Sequence, residues 1–375
     1  MDVRAIVLVT GPAAEVTSAV NGGGPLIFAD VLGRPALHHV VTSLMRQGVN
    51  DVSVLSETGM PSLTGAARQA HSALNFLVTD ASQFWRTAEN TFLDFAQSGA
   101  DEVLVLRVAP YVELDVDGFL QAHLDQGTHV TRASHRGRAL DMFVVTASRR
   151  NDAAYLFRHQ LRECRSRCAM WPVRGYLNPL QTPQELRCLA VDALLGENAI
   201  QPEGEQVRPG VWVASGALVH PRARVLAPAY VGERAKVRAN AVLTRCSVVE
   251  RHSEVDFGSV IEDSTIAPYT YIGPGLDICR SVVGSRHVAS IDHSVEVEIG
   301  DARLVDALPS SAGLRALVHA ASLAAFLPAL FARGLARSTR RGKLAALPHA
   351  VNAPSALNTP AGFPASTPEV SRTWQ

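Results

Sequence analysis

The sequence predicts an α/β domain followed by a parallel β-helix. Three observations carry this: two locked columns at six-residue spacing, an alternation of strand-like and helix-like segments ahead of them, and 375 residues, too many for one ordinary core. From Val213 every sixth residue is aliphatic: Val219, Val225, Val231, Val237, Leu243, Val249, Val255 and Ile261. Four residues after each stand Ala217, Ala223, Ala229, Ala235, Ala241, Ser247, Ser253, Ser259 and Thr265, all small. Each hexad makes one short face of a triangular coil, with the aliphatic residue stacked inward and the small residue near the tight corner. Three hexads complete a turn, so residues 213–265 make three coils. The phase then slips by one residue, with Ile266, Ile272 and Ile278 carrying on. Such a slip reads as a corner insertion or loop, and Pro274-Gly275 suits a turn there.

Residues 1–200 alternate strand and helix patterns. Ala5–Val9, Asp51–Leu55, Val103–Val108 and Met142–Thr146 read as strands, and Ala36–Gln47, Ser82–Gln97 and Val116–Asp125 as helices. Gly48, Gly99 and Gly127 follow the three helices, as C-terminal stops do. The pattern predicts a mainly parallel sheet, with ligands at the carboxyl ends of its strands, where Gly11 falls. A linker is expected at 201–210 and the β-helix domain over 211–305.

Lys+Arg and Asp+Glu are both 35, which argues against a dedicated nucleic-acid binder. The N-terminus does not look like a signal peptide and no apolar stretch reads as a clean membrane span, so a cytoplasmic protein is expected. The five cysteines are 164, 168, 188, 246 and 279; Cys164-x3-Cys168 has no matching second pair, and they read as reduced thiols. The β-helix alone reads as a scaffold or oligomerisation surface. A hexapeptide acyltransferase would need a base, for which His220, His252, His287 and His293 are the candidates.

Several segments resemble one family in order and spacing. Asp30-Val31-Leu32-Gly33-Arg34-Pro35 is similar to the P-V-x-G-K-P of the sugar-1-phosphate nucleotidyltransferases, or NDP-sugar pyrophosphorylases. Thr87-Ala88 looks like that family's G-T-A segment, and Gly175-Tyr176-Leu177-Asn178-Pro179-Leu180-Gln181-Thr182-Pro183 like its G-Y-W-x-D-x-G-T-P. The β-helix that follows resembles that of mannose-1-phosphate guanylyltransferase-like members. The resemblance covers roughly residues 3–300. It implies a Rossmann-like, GT-A-like nucleotidyltransferase domain over 1–200 and a left-handed hand for the hexapeptide β-helix.

The resembled chemistry joins a nucleoside triphosphate to a sugar phosphate, so the site needs amide donors, cations and Mg²⁺. The family supplies a loop of L-A-A-G-x-G-T-R…P-K. Here the loop reads Leu8-Val9-Thr10-Gly11-Pro12-Ala13-Ala14-Glu15, and Leu26 falls where the Lys belongs. The only lysines are Lys236 and Lys343. After the strand ending at Leu106 the family's N-G-D is replaced by Arg107-Val108-Ala109, and its second Asp aligns with Asn178 or Pro179. Asp101, Asp115 and Asp117 lie nearby and read as turn or cap residues. No catalytic or metal residue is expected, and Mg²⁺ is expected only if the chain is active. Thr10, Gly11, Gly22, Gly23, Gly24, Thr87 and Ala88 are the candidate nucleotide-side residues; successive glycine amides could cradle a phosphate. Gly175, Tyr176 and Asn178 are the candidate sugar-side residues. An active enzyme with a rearranged site would use Arg34, Arg86 or Arg107.

Residues 312–342 carry an apolar stretch, 314–335, followed by a basic cluster. This segment reads as a helix that caps the β-helix or packs in an oligomer, with peripheral membrane contact through 314–343 as the alternative. Residues 343–375 are rich in Pro, Ala, Ser and Thr and read as a disordered tail. The expected partners are a nucleotide-sugar and either a second copy or a catalytic paralogue.

Overall fold

The apolar run Val3–Val9 (β1) is buried on both sides, and that decides its place at the middle of a sheet. Ala5, Val7 and Val9 enter one apolar cluster while Ile6 and Leu8 enter another, as alternation at period two requires. The computed structural model describes residues 1–9, 18–57, 74–108, 110–147, 157 and 169–308. Residues 1–310 form one compact unit. The second unit, 311–375, lies outside the described residues, and with it the expectations for 312–342 and 343–375.

Six more strands join β1: β2 (Asp51–Ser56), β3 (Leu74–Val78), β4 (Glu102–Arg107), β5 (Val130–His135), β6 (Arg138–Thr146) and β7 (Ala169–Pro172). Their order is β3-β2-β1-β4-β6-β5-β7. Parallel pairing joins β1 to β2 and β4, β2 to β3, and β5 to β7. Only β6 runs against its neighbours, so the sheet is mainly parallel, as expected. Helices α1 (Ala36–Arg46), α3 (Val116–Gln126) and α4 (Pro183–Leu195) cover one face and α2 (Phe84–Gln97) the other. Strands β3, β5 and β7 and helix α4 are additions to the elements read from sequence.

The C-terminal region is built of short strands in three largely parallel sheets. The chain visits the sheets in rotation. In the first, Val211–Val213 lies beside Ala229–Val231, which lies beside Ser247–Val249. Lys236 lies between Leu218 and Glu254 in the second, and Val242 between Arg224 and Val260 in the third. Each of these steps spans eighteen residues. From Val249 the step is seventeen: Val249 pairs with Ile266, Val255 with Ile272, Ile261 with Ile278, and Ile266 with Val283.

The slip is therefore a shortened corner and not an insertion. The corner after Val242–Thr244 holds two left-handed residues, Arg245 and Cys246 (φ 53° and 57°). One turn on, the equivalent corner holds one, Asp263 (φ 46°), and the next also holds one, Arg280 (φ 43°). Pro274-Gly275 stands at a different corner, ahead of the strand Asp277–Cys279.

The aliphatic column is inside. Val231, Val237, Leu243, Val249, Val255, Ile261, Ile266 and Ile272 are all buried, while Val219, in the first coil, is 36% exposed. Small residues line the corners because the next coil lies directly against them. Their hydroxyls bind that coil: Ser247, Ser253 and Ser259 Oγ donate to Ile261, Ala267 and Gly273 O at 2.6, 2.7 and 2.7 Å. At the far end Val305–Ala307 returns antiparallel against Thr270–Ile272, and Val305 and Ile299 close the apolar column. Among the described residues no helix is long and apolar enough to cross a membrane.

Candidate functional site

The carboxyl ends of β1, β2 and β4 are Val9, Ser56 and Arg107, and the expected site lies beyond them. Thr10, Gly11 and the Ala13-Ala14-Glu15 segment lie outside the described residues. The residues that are described do not converge on a charged centre.

Gly22, Gly23 and Gly24 close a short turn. Their amides donate to Ala19, Ser18 and Asn21 O at 3.0, 2.9 and 3.2 Å, so all three N–H groups are used inside the turn rather than presented to a phosphate. The turn is anchored elsewhere: Ser18 Oγ and Val20 N both donate to Glu296 Oε1, at 2.9 and 2.8 Å. Ala88 is fully buried in the core under α2, and Thr87 Oγ1 donates back to Gln83 O, 3.1 Å away.

The sugar-side residues are also structural. Gly175 passes so close to Glu113 that a side chain would collide with its carbonyl oxygen. The Tyr176 hydroxyl donates to Asp192, and burial together with that carboxylate holds the phenol well above its ordinary range. Asn178 is buried; its Nδ2 donates to Glu185 O at 2.9 Å and its Oδ1 accepts from Leu180 N at 3.0 Å. An amide can do both at once, whereas a carboxylate could only accept.

Asp115 caps α3, accepting from Gly118 N at 3.0 Å, and Asp101 accepts from Asp2 N at 2.8 Å. Asp117 sits in the first turn of α3. Among the described residues no group of three or more His, Cys, Asp or Glu could hold a metal ion. The arginines point to separate tasks: Arg34 pairs with Glu203 at 2.7 Å, Arg107 with Asp141 at 3.7 Å, and Arg86 is exposed on α2. The four coil histidines do not form a base in a cleft. His220 Nδ1 accepts from Arg222 N, His287 Nδ1 contacts Ser285 O, His252 stacks on Tyr269, and His293 is exposed.

Among the described residues, a buried polar cluster that the sequence did not point to stands out. It lies where the hairpin Asp30–Pro35 meets the coil. Glu250 is fully buried, and its two oxygens accept from Leu32 N at 2.7 Å and Gly33 N at 2.9 Å. Those amides point outward together because Leu32 and Gly33 are left-handed (φ 54° and 102°). A side chain at Gly33 would strike the Tyr230 hydroxyl and Glu203. Beside Glu250, Arg251 grips Asp30 with Nε–Oδ2 2.6 Å and Nη2–Oδ1 3.2 Å. The apolar core continues across the junction through Tyr230 and Val248. Arg187 of α4 adds a second tie to the coil, through Thr265 Oγ1 at 3.2 Å and Asp263 at 2.9 Å.

Burial raises Glu250, and Asp30 beside it raises it further, while the Leu32 and Gly33 amides and Arg251 pull it back; Asp30 is also raised by burial. His39, whose Nε2 lies 2.9 Å from Val31 O, is held by burial down at about 4. The signs oppose. A carboxyl raised on folding stabilises at low pH and loses that stability as pH climbs through its folded pKa. An imidazole lowered on folding loses stability as pH falls below the unfolded value of 6.5. Between about pH 7 and the folded Glu250 value of about 8, His39 is largely neutral in both states, so the wild-type unfolding free energy is expected to fall with pH by up to about 1.4 kcal/mol per unit for the proton Glu250 releases on unfolding. Urea melts of Glu250→Gln should show a flatter profile over that window. An identical slope in the two proteins would remove Glu250 as its source.

Comparison of the chain with protein-family models and with characterised proteins finds no match.

Proposed function

We propose that this chain is a non-catalytic relative of the sugar-1-phosphate nucleotidyltransferases, acting as a regulatory or scaffold subunit in nucleotide-sugar and surface-polysaccharide synthesis. In this reading the N-terminal domain has the nucleotidyltransferase fold and the three-sheet coil is a left-handed parallel β-helix. It works in the cytoplasm as a homo-oligomer or beside a catalytic paralogue.

Asn178 carries the reading. The resemblance calls for a metal-holding Asp at Asn178 or Pro179; Pro179 has no side-chain oxygen, and Asn178 is buried with its amide bonded to Glu185 O and Leu180 N. A metal ligand needs a free oxygen lone pair directed at an open site. The dispersal of Arg34, Arg86 and Arg107 supports the same conclusion, since triphosphate binding needs cations gathered on one anion. Against this, the packing is intact: the coil column from Val225 to Ile272 is buried and the two halves share one core. What remains well made is the part that assembles.

Calorimetry with GDP-mannose, UDP-glucose, ADP-glucose and dTDP-glucose, together with the native mass of the purified protein, tests the reading. Saturable binding of one nucleotide-sugar, or a defined oligomer, is expected. A monomer that binds none of them and captures no paralogue would leave the regulatory reading without support.

A further inference from the structure

Away from the strand ends, a cleft of about 380 Å³ opens between α1 and the segment 199–203. Its volume lies in the range of small-molecule sites, about 300–1,000 Å³. Along α1, His38, Thr42 and Arg46 follow at four-residue spacing and so lie on one side of the helix; Ser43 and His39 flank them. Arg34 and Tyr111 line the rest, with Glu203 opposite.

The hydrogen bonds leave this cleft rich in donors. Arginine can only donate, so in the 3.3 Å contact of Arg34 Nη1 with His38 Nε2 the imidazole accepts. Its proton then sits on Nδ1 and is given to Thr42 Oγ1, 3.3 Å away. Thr42 Oγ1 then serves as acceptor, which leaves its own proton to give. Ser43 Oγ likewise accepts from Gln47 Nε2 at 3.3 Å, which leaves its own proton to give. The charges are unequal. Glu203 is the one acidic residue in the lining and is paired with Arg34 at 2.7 Å, while Arg46 has no ion-pair partner among the described residues. A concave site with a surplus cation and several hydroxyl donors suits a compact oxyanion.

We propose that this cleft binds a small phosphate dianion, either free phosphate or the phosphate end of a phosphomonoester. The inference does not depend on the functional reading above. Occupancy would be felt at the domain junction. Glu203, the partner of Arg34, donates its own amide to Leu32 O at 3.0 Å, and the Leu32 amide is held by Glu250. The ligand therefore acts on the hairpin that joins the two halves.

Titration calorimetry of the full chain with inorganic phosphate, pyrophosphate and glucose 1-phosphate is the test, with Arg46→Ala and Thr42→Val alongside. Arg46 is exposed, so its removal should leave the ligand-free melting temperature unchanged. One-to-one saturable binding is expected, at least about tenfold weaker in Arg46→Ala through loss of a charge-assisted contact. Tighter binding of glucose 1-phosphate than of phosphate would identify a phosphomonoester, and the reverse order free phosphate. Absence of saturable heat with all three ligands, or equal affinity in wild type and Arg46→Ala, overturns the site.

Discussion

Glu250→Ala is expected to lower the stability by roughly 2–6 kcal/mol, because it strands two buried amides at about 1–3 kcal/mol each. Leu32 and Gly33 are buried, so both amides lose their acceptor inside the fold. The effect should be larger than for an ordinary surface carboxylate, whose removal stays within about 0.5 kcal/mol. The neighbouring pair adds a second reading of the same junction. Arg251→Ala leaves Asp30 buried and unpaired, which by comparison with other buried pairs costs about 3–5 kcal/mol. The two losses should not add, since Glu250, Asp30 and Arg251 share one pocket. Urea unfolding of both single variants and the double variant measures this. If Glu250→Ala falls within the surface range, the hairpin is not held by that carboxylate.

Ile261→Ala is expected to cost about 2–5 kcal/mol, the range for truncating an aliphatic side chain in a closed core. Ile261 is fully buried, with Leu243 beside it in the previous coil and Ile278 in the next. The same truncation at Val219 should cost under about 1 kcal/mol, since that residue is already 36% exposed and removal leaves no sealed cavity. Both sit in the same sequence column; Ile261 loses one methylene more than Val219, which accounts for about 0.5–1.5 kcal/mol, and the rest of the difference reports stacking. Midpoints of urea unfolding at an unchanged slope are the measurement. Equal losses at the two positions would mean that the column is not closed by successive coils.

The coil was legible in the sequence because its contacts repeat at a short, fixed spacing. Each inward side chain meets the same kind of residue one turn away, so Val231, Val249 and Ile266 report one another. The helices α1 and α3 were legible for a similar reason, since an apolar face and a stop both lie within a dozen residues. Strand β7 was not, because it is an edge strand whose residues Ala169–Pro172 are only half-buried or exposed. Strand β5, Val130–His135, mixes Thr, Arg and His with its buried positions and gives no apolar run. The slip at Ile266 was visible, but not its cause. Only the backbone shows that one left-handed residue replaces two at the corner.

The junction cluster left no trace in the sequence. Glu250 and Leu32 are 218 residues apart, and Glu250-Arg251 looks no different from Glu233-Arg234, a surface pair one coil earlier. The candidate site was half legible. That charges were missing could be read directly, since Leu26, Ala109 and Asn178 or Pro179 stand where charged residues are expected. What the replacements do could not be read. Asn178 became a turn residue only once Glu185 O and Leu180 N were brought to it. The amides of Gly22–Gly24 were likewise open to any use until the turn at Ser18–Asn21 claimed them.

A role in binding or assembly, without turnover, is tested most directly by pyrophosphate release. The purified chain would be incubated with Mg²⁺, each of ATP, GTP, UTP, CTP and dTTP, and mannose 1-phosphate or glucose 1-phosphate. Release at the rate of the protein-free control is expected for every combination. Release well above that control with any nucleotide and sugar phosphate, dependent on Mg²⁺ and proportional to protein, would contradict a non-catalytic role.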